Sequence, residues 1–154
     1  MKDFKVGNIL TLETGIIVQQ VNAQGLMGSG IAKSIREKYP QVWLEYSKAL
    51  GAPYSQEKGG LPFMGKVIWA QIQTGLWIAN IVGQQFAGRE VKRYTSYDAL
   101  DVGFSKIAIF AKTMHLPVHY PMIGCGLAQG DWTIVSAIID ARLGRINHTL
   151  WTLE

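Results

Sequence analysis

Two stretches of this 154-residue chain share an arrangement that restricts its fold more than any other feature. In each, an apolar run breaks into a glycine-rich loop and a helical pattern follows directly. The first comprises a run at residues 15–21, a loop at 25–30 and a helix at 31–38; the second a run at 118–122, a loop at 124–130 and a helix at 132–143. The 15–21 run is nearly all apolar or amide, as expected of a strand covered on both faces. Strands alternating with helices build α/β sheets, and in open α/β sheets ligands bind where loops leave the carboxyl ends of the strands. The two glycine loops are therefore candidate halves of one site.

The remaining segments fit the same class. Residues 4–6 and 149–153 read as strands. The 31–38 helix stops at Pro40, and 41–50 reads as a second helix ended by Gly51. Residues 52–65, rich in Gly and Pro, read as a loop. Residues 66–72 and 76–82 are strand-like and joined by a short turn at 73–75, so the sheet should be mixed. Over 96–115, Leu100, Phe104, Ile107, Ala111 and Met114 step by four, three, four and three, which puts them on one helix face ended by Pro117. In 132–143 the inward residues should be Val135, Ile138 and Ile139. No repeat or linker divides the chain, and 1–154 reads as one domain.

Composition excludes several function classes. Apolar residues make up 48% and charged residues 17%, which favours a packed core over disorder. The net charge of +4 is spread along the chain, and Glu90 interrupts the most basic run, 89–93. A nucleic-acid groove needs clustered cations with stacking aromatics, so a small anionic ligand suits the balance better. Cys125, the one cysteine, leaves no intramolecular disulfide and no multi-cysteine zinc site. No apolar run approaches the ~20 residues that span a bilayer, and the first residues carry no apolar signal core. The expectation is a soluble, cytoplasmic protein with no membrane partner and no cofactor.

Each motif has rivals. The loop 22–32, Asn-Ala-Gln-Gly-Leu-Met-Gly-Ser-Gly-Ile-Ala, would let backbone N–H groups approach an anion at a helix N-terminus. A dinucleotide fingerprint fits poorly, because Lys33 stands where the third small residue belongs. Residues 60–67 approach a phosphate-binding P-loop but end in Val67, where a hydroxyl must hold magnesium. A thiolate phosphatase loop needs an arginine after Cys125, and the position holds Asp131. Cys125 thus reads as a small residue packed under its loop, and Asp131 as the cap of the following helix. His115 and His119 stand four apart, but Pro117 between them breaks any shared helical face, and His148 falls in a polar turn. No metal site is expected. Asp98 lies in Thr-Ser-Tyr-Asp at 95–98, which reads as a helix cap rather than a general base.

Taken in order, Val-Gly-Asn-Ile-Leu at 6–10, the 22–32 loop, and Ile-Gly-Cys-Gly-Leu at 123–127 followed by Asp131 and Trp132 resemble the macrodomain family over essentially the whole chain. Met-Gly-Ser-Gly-Ile-Ala at 27–32 and Asn-Ile-Val-Gly-Gln at 80–84 look most like its small ADP-ribose-1″-phosphate phosphatase branch, which includes proteins of bacterial viruses. The resemblance implies a three-layer α/β/α sandwich around a six-stranded mixed sheet, with ADP-ribose or its 1″-phosphate bound across the strand ends. Asn8 and Ile9 would lie at the adenine, the Asn8 carbonyl oxygen accepting from the adenine amino group. Gly28, Ser29, Gly30, Ile31 and Ala32, with Ile123, Gly124, Cys125, Gly126, Leu127 and Ala128, would close over the diphosphate and distal ribose. Gln20, Asn22, Ala23 and Gln84 would complete the site.

The resemblance also marks departures. Relatives that remove ADP-ribose from protein or DNA have a lysine where this chain has Gln84, and some have an Asp where it has Ala128. Phosphatase relatives often have a histidine at the position of Gln19. Hydrolysis of the 1″-phosphate would then rest on water held by Asn22, with His119 as base, and should be slow. Without hydrolysis, the implied role is that of a reader of ADP-ribose or of ADP-ribosylated macromolecules. A third role is removal of ADP-ribose or acetyl groups from modified targets.

Overall fold

The computed structural model describes residues 2–28, 30–51, 61–88 and 90–154. Six strands form one mixed sheet: β1 (Lys2–Val6), β2 (Gly15–Asn22), β3 (Val67–Gln73), β4 (Leu76–Gln84), β5 (Val118–Tyr120) and β6 (His148–Thr152). Their spatial order is β1-β6-β5-β2-β4-β3, parallel throughout except for the antiparallel β3–β4 hairpin. Two helices, α1 (Gly30–Lys38) and α2 (Pro40–Leu50), cover one face; α3 (Tyr97–Met114) and α4 (Trp132–Leu143) cover the other. The expected three-layer α/β/α sandwich is the architecture observed.

Strand β2 shows why its sequence is apolar on both sides. Ile17 and Val21 enter the core with Ile35, Val42 and Tyr46 of α1 and α2, whereas Ile16 and Val18 enter the core with Leu100, Phe104 and Val135 of α3 and α4. Polar Gln19 is wholly buried in this strand and donates to Asn80 Oδ1 of β4 at 2.6 Å, while Asn80 Nδ2 donates to the Ile68 carbonyl. The opposed amides let adjacent strands carry polar side chains inside a core. On the other face, α3 crosses β4 at Gly103, where an added Cβ would lie 2.5 Å from Ile81 Cγ2. Only a hydrogen at that position lets the helix come so close.

Helix ends follow local chemistry. Ser96 caps α3 by accepting from the Ala99 N–H, and Asp131 caps α4 by accepting from the Thr133 N–H. Pro40 occupies the first turn of α2, where its missing N–H costs no intrahelical bond. Strand ends depart from the sequence reading for longer-range reasons. Strand β4 continues to Gln84 because β2 keeps pairing with it past a bulge at Val21 and Asn22, and the Ala23 N–H then donates to the Gln84 carbonyl. Strand β5 stops at Tyr120, since Pro121 cannot donate to a ladder. Met114, expected on the inner face of α3, is its last residue and is 45% exposed beyond the packed layer.

His148 does not sit in a polar turn. It opens β6, is buried, and its Nδ1 lies 2.6 Å from the Tyr120 hydroxyl. Of the expected 52–65 loop, residues 52–60 lie outside the described residues, and Leu61–Phe63 form a 3₁₀ turn. No described helix is long and apolar enough to cross a membrane, and no group of three metal-ligating side chains gathers among the described residues.

Candidate ligand-binding site

The carboxyl ends of the parallel strands open into a continuous cleft of three compartments. The central one, about 470 Å³, is lined from one side by Asn22, Gly28, Gly30, Ile31 and Ala32 and from the other by Ile123, Gly124, Gly126, Leu127 and Ala128. The two glycine loops, a hundred residues apart in sequence, thus face each other across one space. Gly28 and Gly126 carry nothing within 4 Å of where a Cβ would stand, so the walls there are bare main chain open to the cleft. Among the described residues the N–H groups of Gly28, Gly126, Leu127 and Ala128 take no protein acceptor. The first turn of α1 adds N–H groups that have no acceptor within the helix, and its partial positive charge.

Side chains behind the loops hold them in place. Asn22, at the end of β2, accepts at Oδ1 from the Gln24 and Leu26 N–H groups and from the Tyr46 hydroxyl, and donates from Nδ2 to the Leu26 carbonyl. The buried Tyr46 hydroxyl also contacts the Asn22 carbonyl and accepts from the Gly25 N–H. The first loop is therefore folded around one amide and one phenol. In the second loop Gly124 has φ +71°, and an added Cβ would lie 2.8 Å from Thr95 Oγ1 and 2.9 Å from Gln20 Oε1. The Thr95 hydroxyl donates to the Gly124 carbonyl and accepts from Gln20 Nε2, while the Tyr94 and Thr95 N–H groups donate to the Ala128 carbonyl. Gln20 Nε2 also donates to Gln84 Oε1, and Gln84 Nε2 donates to the Phe86 carbonyl.

Beyond Gly30, Ile31, Pro121 and Met122 the cleft widens into an apolar compartment of about 650 Å³, walled by Ile9, Leu10, Trp151 and Leu153. Asn8 lies at its edge, but its carbonyl oxygen caps the Ile9–Thr11 turn by accepting from the Leu10 N–H at 2.9 Å. The side-chain oxygen expected to meet an adenine amino group thus takes one hydrogen bond from its own turn and keeps a second lone pair, while Nδ2 has no partner among the described residues. Past Asn22, Leu26, Gly28 and Leu127 the opposite end forms a third compartment of about 370 Å³ that also touches Arg36 and Met27. Arg36 is the one charged side chain among the described residues lining the whole cleft.

Several expected site residues lie elsewhere. His119 does not line the cleft: its Nδ1 accepts from Trp151 Nε1–H at 2.9 Å, and its ring packs on Gly15. Burial, with a smaller push from the Lys5 charge, lowers its pKa to about 4, so it is neutral and engaged as an acceptor rather than poised as a base. Ala23 is buried in the core under the first loop. Cys125 turns its Sγ toward the Ile123 carbonyl at 3.2 Å, and burial, then Asp131, push its thiol pKa up, as suits the packing role expected of it. Gln19 is buried between strands and does not reach the cleft. Ser29 lies outside the described residues.

The sequence reading missed Trp151, Thr95, Tyr46 and Arg36. Trp151 sits in the last strand with only alternation to mark it, and in the sequence Thr95 reads only as part of a helix cap. Tyr46 and Arg36 lie on helices whose periodicity reports packing, not what their tips touch.

No protein-family model matches the sequence, and no curated protein does either. Solved structures do. A Bacteroides thetaiotaomicron protein of unknown function is 25% identical, with 98% of this chain and 97% of that one covered and a TM-score of 0.81. A macrodomain protein of Streptomyces coelicolor is 23% identical, with 99% of each chain covered and a TM-score of 0.77. The fold is that of a macrodomain. A Thermosipho africanus DarTG structure in complex with ADP-ribose shares the macrodomain fold at 21% identity and a TM-score of 0.71, with 97% of this chain and 41% of that one covered.

Proposed function

We propose that this macrodomain-fold chain binds ADP-ribose along the cleft. The adenine enters the apolar compartment beside Ile9 and Trp151, the diphosphate crosses the central compartment, and the distal ribose reaches Asn22 and the second loop. The observation that carries this reading is the convergence of two bare glycine loops and a helix N-terminus on one space, open between an apolar end and a polar end. A diphosphate demands many N–H donors and close main-chain approach, and this arrangement supplies both. The ADP-ribose held by the T. africanus protein of the same fold adds support. Calorimetric titration of the folded protein with ADP-ribose tests it; no heat at millimolar ligand overturns it.

A second reading adds slow hydrolysis of ADP-ribose 1″-phosphate. Apart from Arg36, no described residue lining the cleft carries a titratable side chain, so attack on phosphorus would depend on a water positioned by Asn22 against a phosphate held by main-chain donors. The same lining favours the reader role when that turnover is absent. Gln84, with both ends of its amide engaged, offers neither a nucleophile nor a base for removing ADP-ribose from a macromolecule. Release of inorganic phosphate from the 1″-phosphate, lost on Asn22→Ala in a folded variant, supports hydrolysis; no release leaves the reader.

A further inference from the structure

We infer that Arg36 selects a phosphate group on the distal ribose of the bound ligand. The inference rests on the ADP-ribose reading of the cleft and names what lies beyond its last sugar. The third compartment shares Asn22, Leu26, Gly28 and Leu127 with the central one, so a substituent on a ribose at Asn22 projects into it. Arg36 is the charge met there, and no carboxylate among the described residues lines any part of the cleft to repel an anion.

The guanidinium is held without being neutralised. Its centre lies 4.4 Å from the centroid of the Trp43 ring, a stacking contact that limits side-chain freedom. No Asp or Glu among the described residues pairs with it. A stacked guanidinium keeps its in-plane N–H groups for an acceptor, and their fork matches two oxygens of a phosphate. A bare hydroxyl or a neutral ester at the same position offers no such match.

The test compares the affinities of ADP-ribose and ADP-ribose 1″-phosphate for the wild-type chain, Arg36→Gln and Arg36→Lys, at low and moderate salt. Arg36 is exposed, so the replacements should leave the fold intact, which circular dichroism checks. The wild type should prefer the 1″-phosphate by about tenfold, as expected of a charge-assisted contact near solvent, with the preference shrinking as salt rises. Arg36→Gln should weaken the 1″-phosphate by about tenfold more than it weakens ADP-ribose and so abolish that preference, and Arg36→Lys should keep part of it. A wild type without preference, a preference that survives in Arg36→Gln, or an equal loss for both ligands overturns the inference while the ADP-ribose reading stands. Failure of the wild type to bind ADP-ribose overturns both.

Discussion

Replacing Gly28 with valine separates the fold from the function of the cleft. An added Cβ at Gly28 meets nothing within 4 Å, and the residue lines both the central and the far compartments. The protein around it therefore has no reason to unfold. The branched side chain instead occupies the volume a diphosphate needs and holds its oxygens away from the N–H groups of the loop and of α1. Losing two hydrogen bonds to a charged phosphate, each worth about 1.5 kcal/mol, comes to about 3 kcal/mol. That corresponds to roughly 100-fold in Kd. Calorimetry with ADP-ribose reads the loss directly, and thermal unfolding in the absence of ligand should move little between wild type and variant. Unchanged affinity in a folded Gly28→Val protein would mean that the diphosphate does not lie where the two loops face each other.

Two more perturbations follow from the groups that hold the cleft. Tyr46→Phe removes the hydroxyl that braces Asn22 and leaves the Gly25 N–H without its acceptor, so it should destabilise the protein by about 1–3 kcal/mol in urea unfolding and weaken ADP-ribose binding as the first loop loosens. Wild-type stability without reduced affinity would refute that bracing role. His119 has a folded pKa near 4, below its ordinary 6.5, because burial disfavours its charged form. The unfolded chain thus binds more protons between these values, and stability should be full above about pH 6.5 and decline as pH falls toward 4. His148, also lowered chiefly by burial, adds to the same slope. Equilibrium unfolding at stepped pH should show a shallower decline in His119→Gln; an identical slope would refute the assignment. Protonation of the folded state at Nδ1, centred near pH 4, would also break the Trp151 hydrogen bond, so affinity should hold down to about pH 5 and drop only around and below pH 4.

Much of this protein was legible in residue order because the signals involved are local. The side-chain period along 96–115, the Ser96 and Asp131 caps and the glycines of both loops act within a turn or two of chain. So their reading placed α3, α4 and the loops almost to the residue. The expectation that the two loops meet followed from a rule about strand ends, and in the structure they line one compartment. What no local pattern carries is which side chains meet across the sheet. His119 looks available for proton transfer until the pairing of β5 with β6 brings Trp151 within hydrogen-bonding distance of its ring, and the sequence does not show that the Asn8 side-chain oxygen takes a hydrogen bond from its own turn. Arg36 on a helix face and Trp151 in the last strand acquire meaning only when the six strands assemble in an order the chain does not follow. Periodicity and capping are short-range free energies written along the backbone, whereas the contents of the cleft depend on long-range packing that brings distant strand ends to one edge.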